Sequence, residues 1–167
     1  MSDSKPETAV EPEVIKKSAL DLIHASSTLT LATTDGLSAW SAPVYYVFIN
    51  GEFFFFSKPD SRHIREALQA GSAGGSIHAN VDTWRDIRGV QMSGSISKAQ
   101  IGMSSITAMK AYLKKFPFTR EFFQKDQTID LKEFYLRFKV HFYFFKPSLV
   151  YYQDNRIKFG FRTEVDL

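Results

Sequence analysis

The 167 residues carry 21 lysines and arginines against 18 aspartates and glutamates, a formal net charge of +3, and no cysteine. That length suits one domain with a real core, and the mild, dispersed charge lacks the basic stripe that nucleic-acid binding needs. The missing cysteines exclude disulfides, zinc ribbons and thiol catalysis and leave the redox compartment open, while sixteen phenylalanines and seven tyrosines point to an aromatic-rich β interior.

The first residues, MSDSKPETAVEPE, are polar and contain no apolar h-region, so residues 1–11 read as a disordered lead-in to a domain over 12–167. No apolar run approaches the roughly 20 residues that cross a bilayer. The expectation is a cytoplasmic protein with neither a membrane nor a nucleic acid as partner.

From Pro12 a helix is predicted, with Val14, Ile15, Ala19, Leu22 and Ile23 at helical spacing. The stretch STLTLATTDGLSAWSAPVYYVFINGEFFFFS then reads as three strands. Two tight hairpins join them, at Asp35-Gly36 and Asn50-Gly51, both suited to type I′ turns. A short helix over 60–70 ends near Gly71, and strands follow over 73–81 and 87–99. Residues 103–115 are predicted helical, with Ile106, Met109, Leu113 and Phe116 on one face. Pro117 breaks that helix, and one or two short helices fill the region to Phe138. The chain closes with KVHFYFFKPSLVYYQ and RIKFGFRTEV, a hairpin turning at Asp154-Asn155.

Six to seven strands paired by local hairpins, with a few peripheral helices, predict a mainly β protein built as a split antiparallel β-barrel. In the second strand Trp40, Ala42, Val44, Tyr46 and Phe48 share one face, and Pro43, Tyr45, Val47 and Ile49 share the other. Both faces are apolar or aromatic, so the outer one needs a cover, and a second copy of the chain is the expected one.

Three features bear on chemistry. Arg62, His63 and Arg65 stand in the first turn of the 60–70 helix, where exposed N–H groups already carry partial positive charge. A solvated helix end capped by Asp60 or Ser61 explains them, and so does an anion that helix and cations hold together, with Ser57 and Ser61 as hydroxyl donors. Pro43 inside an apolar strand marks an edge, a bulge or a ligand approach. In RGVQMSG, residues 88–94, Gln91 beside glycine suits a flat ligand against the strand, as it suits an ordinary exposed strand. His24, His63, His78 and His141 lack metal-ligand spacing, and GSAGGS precedes a strand rather than a helix, so neither a metal site nor a dinucleotide loop is expected.

The order of these parts resembles the pyridoxamine 5′-phosphate oxidase-related FMN-binding split-barrel proteins, and within them small bacterial members of unassigned activity. It runs from a helix and DG hairpin through a proline-containing strand, an NG hairpin and an aromatic strand. Ser-Arg-His then opens a helix, and an RGVQxxG strand follows. The resemblance covers roughly residues 12–161.

It implies an FMN-binding homodimer with the flavin at the dimer interface, working as an oxidoreductase on a small-molecule substrate. Backbone groups of Ser41, Ala42, Pro43 and Val44 would edge the flavin ring. Phe56 and Ser57 would reach the ribityl phosphate, and Ser61, Arg62 and His63 would clamp it. His63 stands where the family has lysine. Gly89 takes the position of a flavin-touching glutamine, for which Gln91 can substitute. Tyr45 and Tyr46 replace the oxidases' Leu-Lys, and with Trp84 they are candidates for the substrate pocket. The oxidases' C-terminal tryptophan and Arg-Leu motif have no counterpart, which argues against pyridoxamine phosphate oxidation. No general acid or base is singled out. Two alternatives remain: a haem- or flavin-binding sensor or carrier, with His24, His78 or His141 as an axial ligand, and a cofactor-free dimeric barrel binding a small apolar ligand.

Overall fold

In the computed structural model, which describes residues 10–123 and 130–167, helix α1 (Pro12–Ala25) begins on its proline and buries Ile15, Ala19, Leu22 and Ile23. Val14 faces outward, 54% exposed. Most of the predicted lead-in, residues 1–9, lies outside the described residues, as does 124–129 within the predicted helical region.

Strands β1 (Thr28–Thr34), β2 (Ala39–Ile49) and β3 (Glu52–Ser57) form the expected meander. The second hairpin is as predicted: Asn50 and Gly51 both take positive φ, 51° and 80°. The first is not a two-residue turn. Thr34 pairs with Ala39, leaving four loop residues of which only Gly36 has positive φ. There the Asp35 carboxylate accepts from the backbone N–H groups of Leu37 and Ser38, so a side chain organises the loop.

Helix α2 (Arg62–Ala70) ends on left-handed Gly71, and β4 (Ala73–His78) and β5 (Arg88–Lys98) follow. In α3 (Met103–Lys115) the buried residues are Ser105, Ala108, Met109, Tyr112 and Leu113. Ile106 is 43% exposed, one position off the face expected of it. A 3-10 turn over Pro117–Phe122 and α4 (Leu131–Phe138) lead into β6 (His141–Asp154) and β7 (Arg162–Glu164). The last hairpin is looser than predicted, because the chain between Asp154 and Arg162 turns rather than pairing.

The sheet order is β3-β2-β1-β4-β5-β6-β7, and a further pairing of β3 with β6 closes six strands into a barrel, leaving β7 outside it. Both faces of β3 are covered. Phe53 and Phe55 join the barrel core, under α1 and α2, with Leu29, Leu31, Tyr46, Val90 and Phe145. Phe54 faces a second cluster outside the wall, formed by α3 and α4 with Val47 and Phe142. The upper outer face of β2 is therefore covered by this chain's own α3 rather than by a second copy. Lower down on that face Tyr45 stays 50% exposed, and Trp40, on the opposite face near the start of the strand, 44%.

At the β5–β6 crossing the register shifts between Ser93 and Gly94, and a Cβ added at Gly94 would lie 2.2 Å from the Lys146 carbonyl oxygen. Because backbone would have to move, Gly94→Ala is expected to destabilise the fold by about 1–3 kcal/mol, the usual cost of overpacking. Urea denaturation of the two proteins measures it.

Candidate functional site

The barrel is split where β2 outruns β3. The β2–β3 ladder covers only Tyr46–Ile49 of β2, while on its other edge β3 stays paired with β6 as far as Ser57 and His141. The Tyr46 N–H donates to Ser27 on the β1 side, so by alternation Ser41, Pro43 and Tyr45 direct their backbone groups to the opposite side, beyond that ladder's end. Pro43 has no N–H to leave unpaired there, which explains a proline in this strand.

The start of α2 stands at the end of β3. Ser61 is the N-cap, with extended backbone and no side-chain cap bond to the helix. Its hydroxyl donates to the Lys58 carbonyl at 2.7 Å and lies 3.0 Å from the Ser57 hydroxyl. Ser57, 8% exposed, also lies 2.9 Å from Nε2 of His63. Burial lowers the His63 pKa, with Glu66 acting weakly the other way, so the imidazole is neutral at neutral pH.

Arg62 is already engaged. Its Nε donates to Glu66 at 2.5 Å, its terminal nitrogen donates to the Ser38 hydroxyl and lies 3.7 Å from Asp35, and its guanidinium sits 4.8 Å over the Trp40 ring. Glu66, only 7% exposed, accepts a second bond from the Thr33 hydroxyl at 2.6 Å. The cation that sits badly against the helix dipole is thus compensated by a carboxylate one turn on. The network Thr33–Glu66–Arg62–Ser38 ties α2 to β1 and to the first hairpin loop.

Of the residues expected at the site, Ser57, Ser61 and His63 converge, with Arg62 beside them. Ala42 and Val44 turn their side chains into the barrel, each 8% exposed, while Ser41 and Pro43 face out. Phe56 packs away from the serines, its ring 4.2 Å from Phe134 in a parallel stack. Tyr46 has no exposed surface and donates its hydroxyl to the Ile23 carbonyl, so its expected place in a substrate pocket is corrected: it is a core residue. Tyr45 is on the surface, edge-on to Phe116 and Phe118 at 5.3 and 5.9 Å. Trp84, 52% exposed, packs edge-on against Phe159 at 5.4 Å.

Gln91 is exposed and in register with Pro43 through Thr30 and Ser76, three strand spacings away, or about 14 Å along the outer wall. Thr33, Ser38, Trp40 and Glu66 were not anticipated. Only Glu66 had a local signal, its i,i+4 spacing from Arg62.

No family model matches the chain. Over 83 residues, 48% of the chain, it is 32% identical to UPF0306 protein YhbP of Salmonella paratyphi A; the match covers 56% of that protein, so the chain spans about half the length of the curated relatives it matches. Among solved structures it superposes on Campylobacter jejuni ChuZ with a TM-score of 0.73 at 8% identity, over 96% of this chain and 62% of that one. A haem-binding protein from Mycobacterium smegmatis gives 0.67 at 17% identity, over 94% and 59%. A FAD-binding protein from Mesorhizobium loti gives 0.60 at 12%, over 80% and 90%. At these identities the likeness shows the fold, and at that level it supports the split-barrel resemblance.

Thr33 and Arg62 hold the Glu66 carboxyl below its ordinary value of 4.5, Thr33 acting more strongly. The sign follows. The network stabilises in full above pH 4.5, and the contribution is lost as pH falls through the lower folded value. Glu66→Gln is expected to flatten that part of the acid-unfolding curve, as read by circular dichroism.

Proposed function

We propose that this chain is a cytoplasmic, homodimeric FMN-binding protein, a flavin-dependent oxidoreductase acting on a small-molecule substrate. The observation that carries the reading is the convergence of Ser57, Ser61 and His63 at an uncapped helix start, beside the edge of β2 that β3 leaves bare. Helix N–H groups, two hydroxyls and an imidazole suit a phosphate. The bared backbone of Ser41 and Tyr45 suits the donor and acceptor edge of a heterocycle. A haem-binding and a FAD-binding protein among the structural neighbours support a cofactor role for this fold.

The residues present fit the group. Ser57 and Ser61 would donate to phosphate oxygens, and His63 would bind it by gaining a proton. Arg62 would share its charge between Glu66 and the ligand. A bound flavin supplies the electron transfer itself, and the protein orients it and excludes water. Exposed Tyr45 on the outer wall favours a second copy as the missing cover.

Purified protein is expected to be yellow, or to turn yellow with added FMN, and to release FMN on heating. Colourless protein that takes up no FMN overturns the reading, and a Soret band replaces it with haem. Haem has one observation of its own beyond the neighbour: His141 stacks on Tyr135 at 4.8 Å, and burial, aided by Lys98, keeps its ring neutral.

Arg62→Ala is expected to weaken FMN about tenfold or more, the scale of one charge-assisted bond, while riboflavin, without a phosphate, loses little. Glu66→Gln, which loosens Arg62 without removing it, should hold FMN at least as well as the parent. Because His63 is neutral until a phosphate raises its pKa, FMN affinity should rise as pH falls from 8 toward 6.5 and riboflavin affinity should not. Fluorescence titration with both ligands reads all three effects.

A further inference from the structure

We infer a second binding site, for a small molecule bearing a carboxylate or phosphate, in a cavity between the end of α1 and the β1–β4 wall. The cavity measures about 410 Å³, within the range of small-ligand sites. Five hydroxyl side chains line it, from Ser26, Ser27, Thr28, Thr30 and Ser76. Asn80, His78 and Arg88 complete its polar surface, and among the described residues no carboxylate lines it. Arg88 is half-buried, and among the described residues its guanidinium has no ion pair or hydrogen bond, unlike Arg62. An arginine held at a cavity mouth with five hydroxyls and no acid has oxyanions as its natural complement.

The end of α1 does not oppose an anion there. Three carbonyl groups there are taken: that of Leu22 accepts from the Ser26 N–H, that of Ile23 from the Tyr46 hydroxyl, and that of Ser26 from the Lys115 ammonium at 2.6 Å. The Lys115 charge further offsets the negative end of the helix.

Thr30 pairs with Pro43 on one side and Ser76 with Gln91 on the other, so the cavity floor lies on the outer wall between those two residues. With flavin on β2, this cavity is the substrate side of the wall, and its ligand is an anionic substrate. That last step rests on the proposed function; the oxyanion site does not.

The full chain is titrated with inorganic phosphate and with acetate, following the His78 ring protons by NMR and the heat by calorimetry. At least one anion is expected to shift the His78 signals. Arg88→Gln should weaken that anion about tenfold, and His78→Gln several-fold, with unchanged circular dichroism. Preference for acetate or phosphate assigns the ligand class. The inference is overturned if neither anion moves the His78 signals, or if Arg62→Ala abolishes binding while Arg88→Gln leaves it intact. FMN uptake is scored separately on the wild-type protein, so a failed flavin reading with intact anion binding is told apart from a failed anion site.

Discussion

The pairing of β3 with β6 is the constraint on which the molecule depends. Five successive residues, Phe53 to Ser57, lie against Phe145 to His141, so the free edge of a three-stranded meander becomes the seam of a barrel. The seam is almost wholly aromatic, with Phe53 over Phe145 and Phe54 between Phe142 and Phe144. Both its faces are buried, which a strand at a sheet edge could not sustain. Aromatic pairs add to the area they bury, and here they hold together strands about ninety residues apart in sequence.

The candidate site lies at the end of the same strand. β3 pairs with β6 along one edge and with β2 along the other, but its ladder with β2 stops at Tyr46, so among the described residues the lower half of β2 is paired with β1 alone. Into that gap β3 delivers Ser57, and the following turn delivers Ser61 and His63. The Thr33–Glu66–Arg62–Ser38 network ties α2 to β1 and to the first hairpin loop beside that opening.

Local chemistry made much of this legible. Asn50-Gly51 fixed one hairpin, period-two alternation separated the faces of β2, and Pro43 marked the bared edge before any partner strand was known. The serine and histidine cluster was also readable, because β3 exit and α2 start are only four to six residues apart. Long-range features were not. Phe-rich β3 says that both its faces are buried but not by what, and the cover over Val47 and Phe54 is α3, more than fifty residues on. Tyr46 and Tyr45 are neighbours of like chemistry, yet register sends one into the core and the other to the surface. The first hairpin misled because Asp-Gly served two ends: Gly36 turned the chain, while the Asp35 carboxylate captured two backbone N–H groups and lengthened the loop.

A barrel this aromatic has no room inside for a ligand. Leu29, Leu31, Tyr46, Phe53, Phe55, Val90 and Phe145 fill its interior, several with no exposed surface at all. On the outer wall, by contrast, side chains alternate with buried ones and only every second residue can reach a ligand. That favours backbone edges, hydroxyls on short side chains and cations delivered from helix starts or strand ends over a deep side-chain pocket. Arg62 and Arg88 illustrate the two ways such a cation can be kept. Arg62 is neutralised by an internal carboxylate and shares itself at a cost. Among the described residues the Arg88 guanidinium has no partner and its cavity no acid, so an anion from solution is its natural complement.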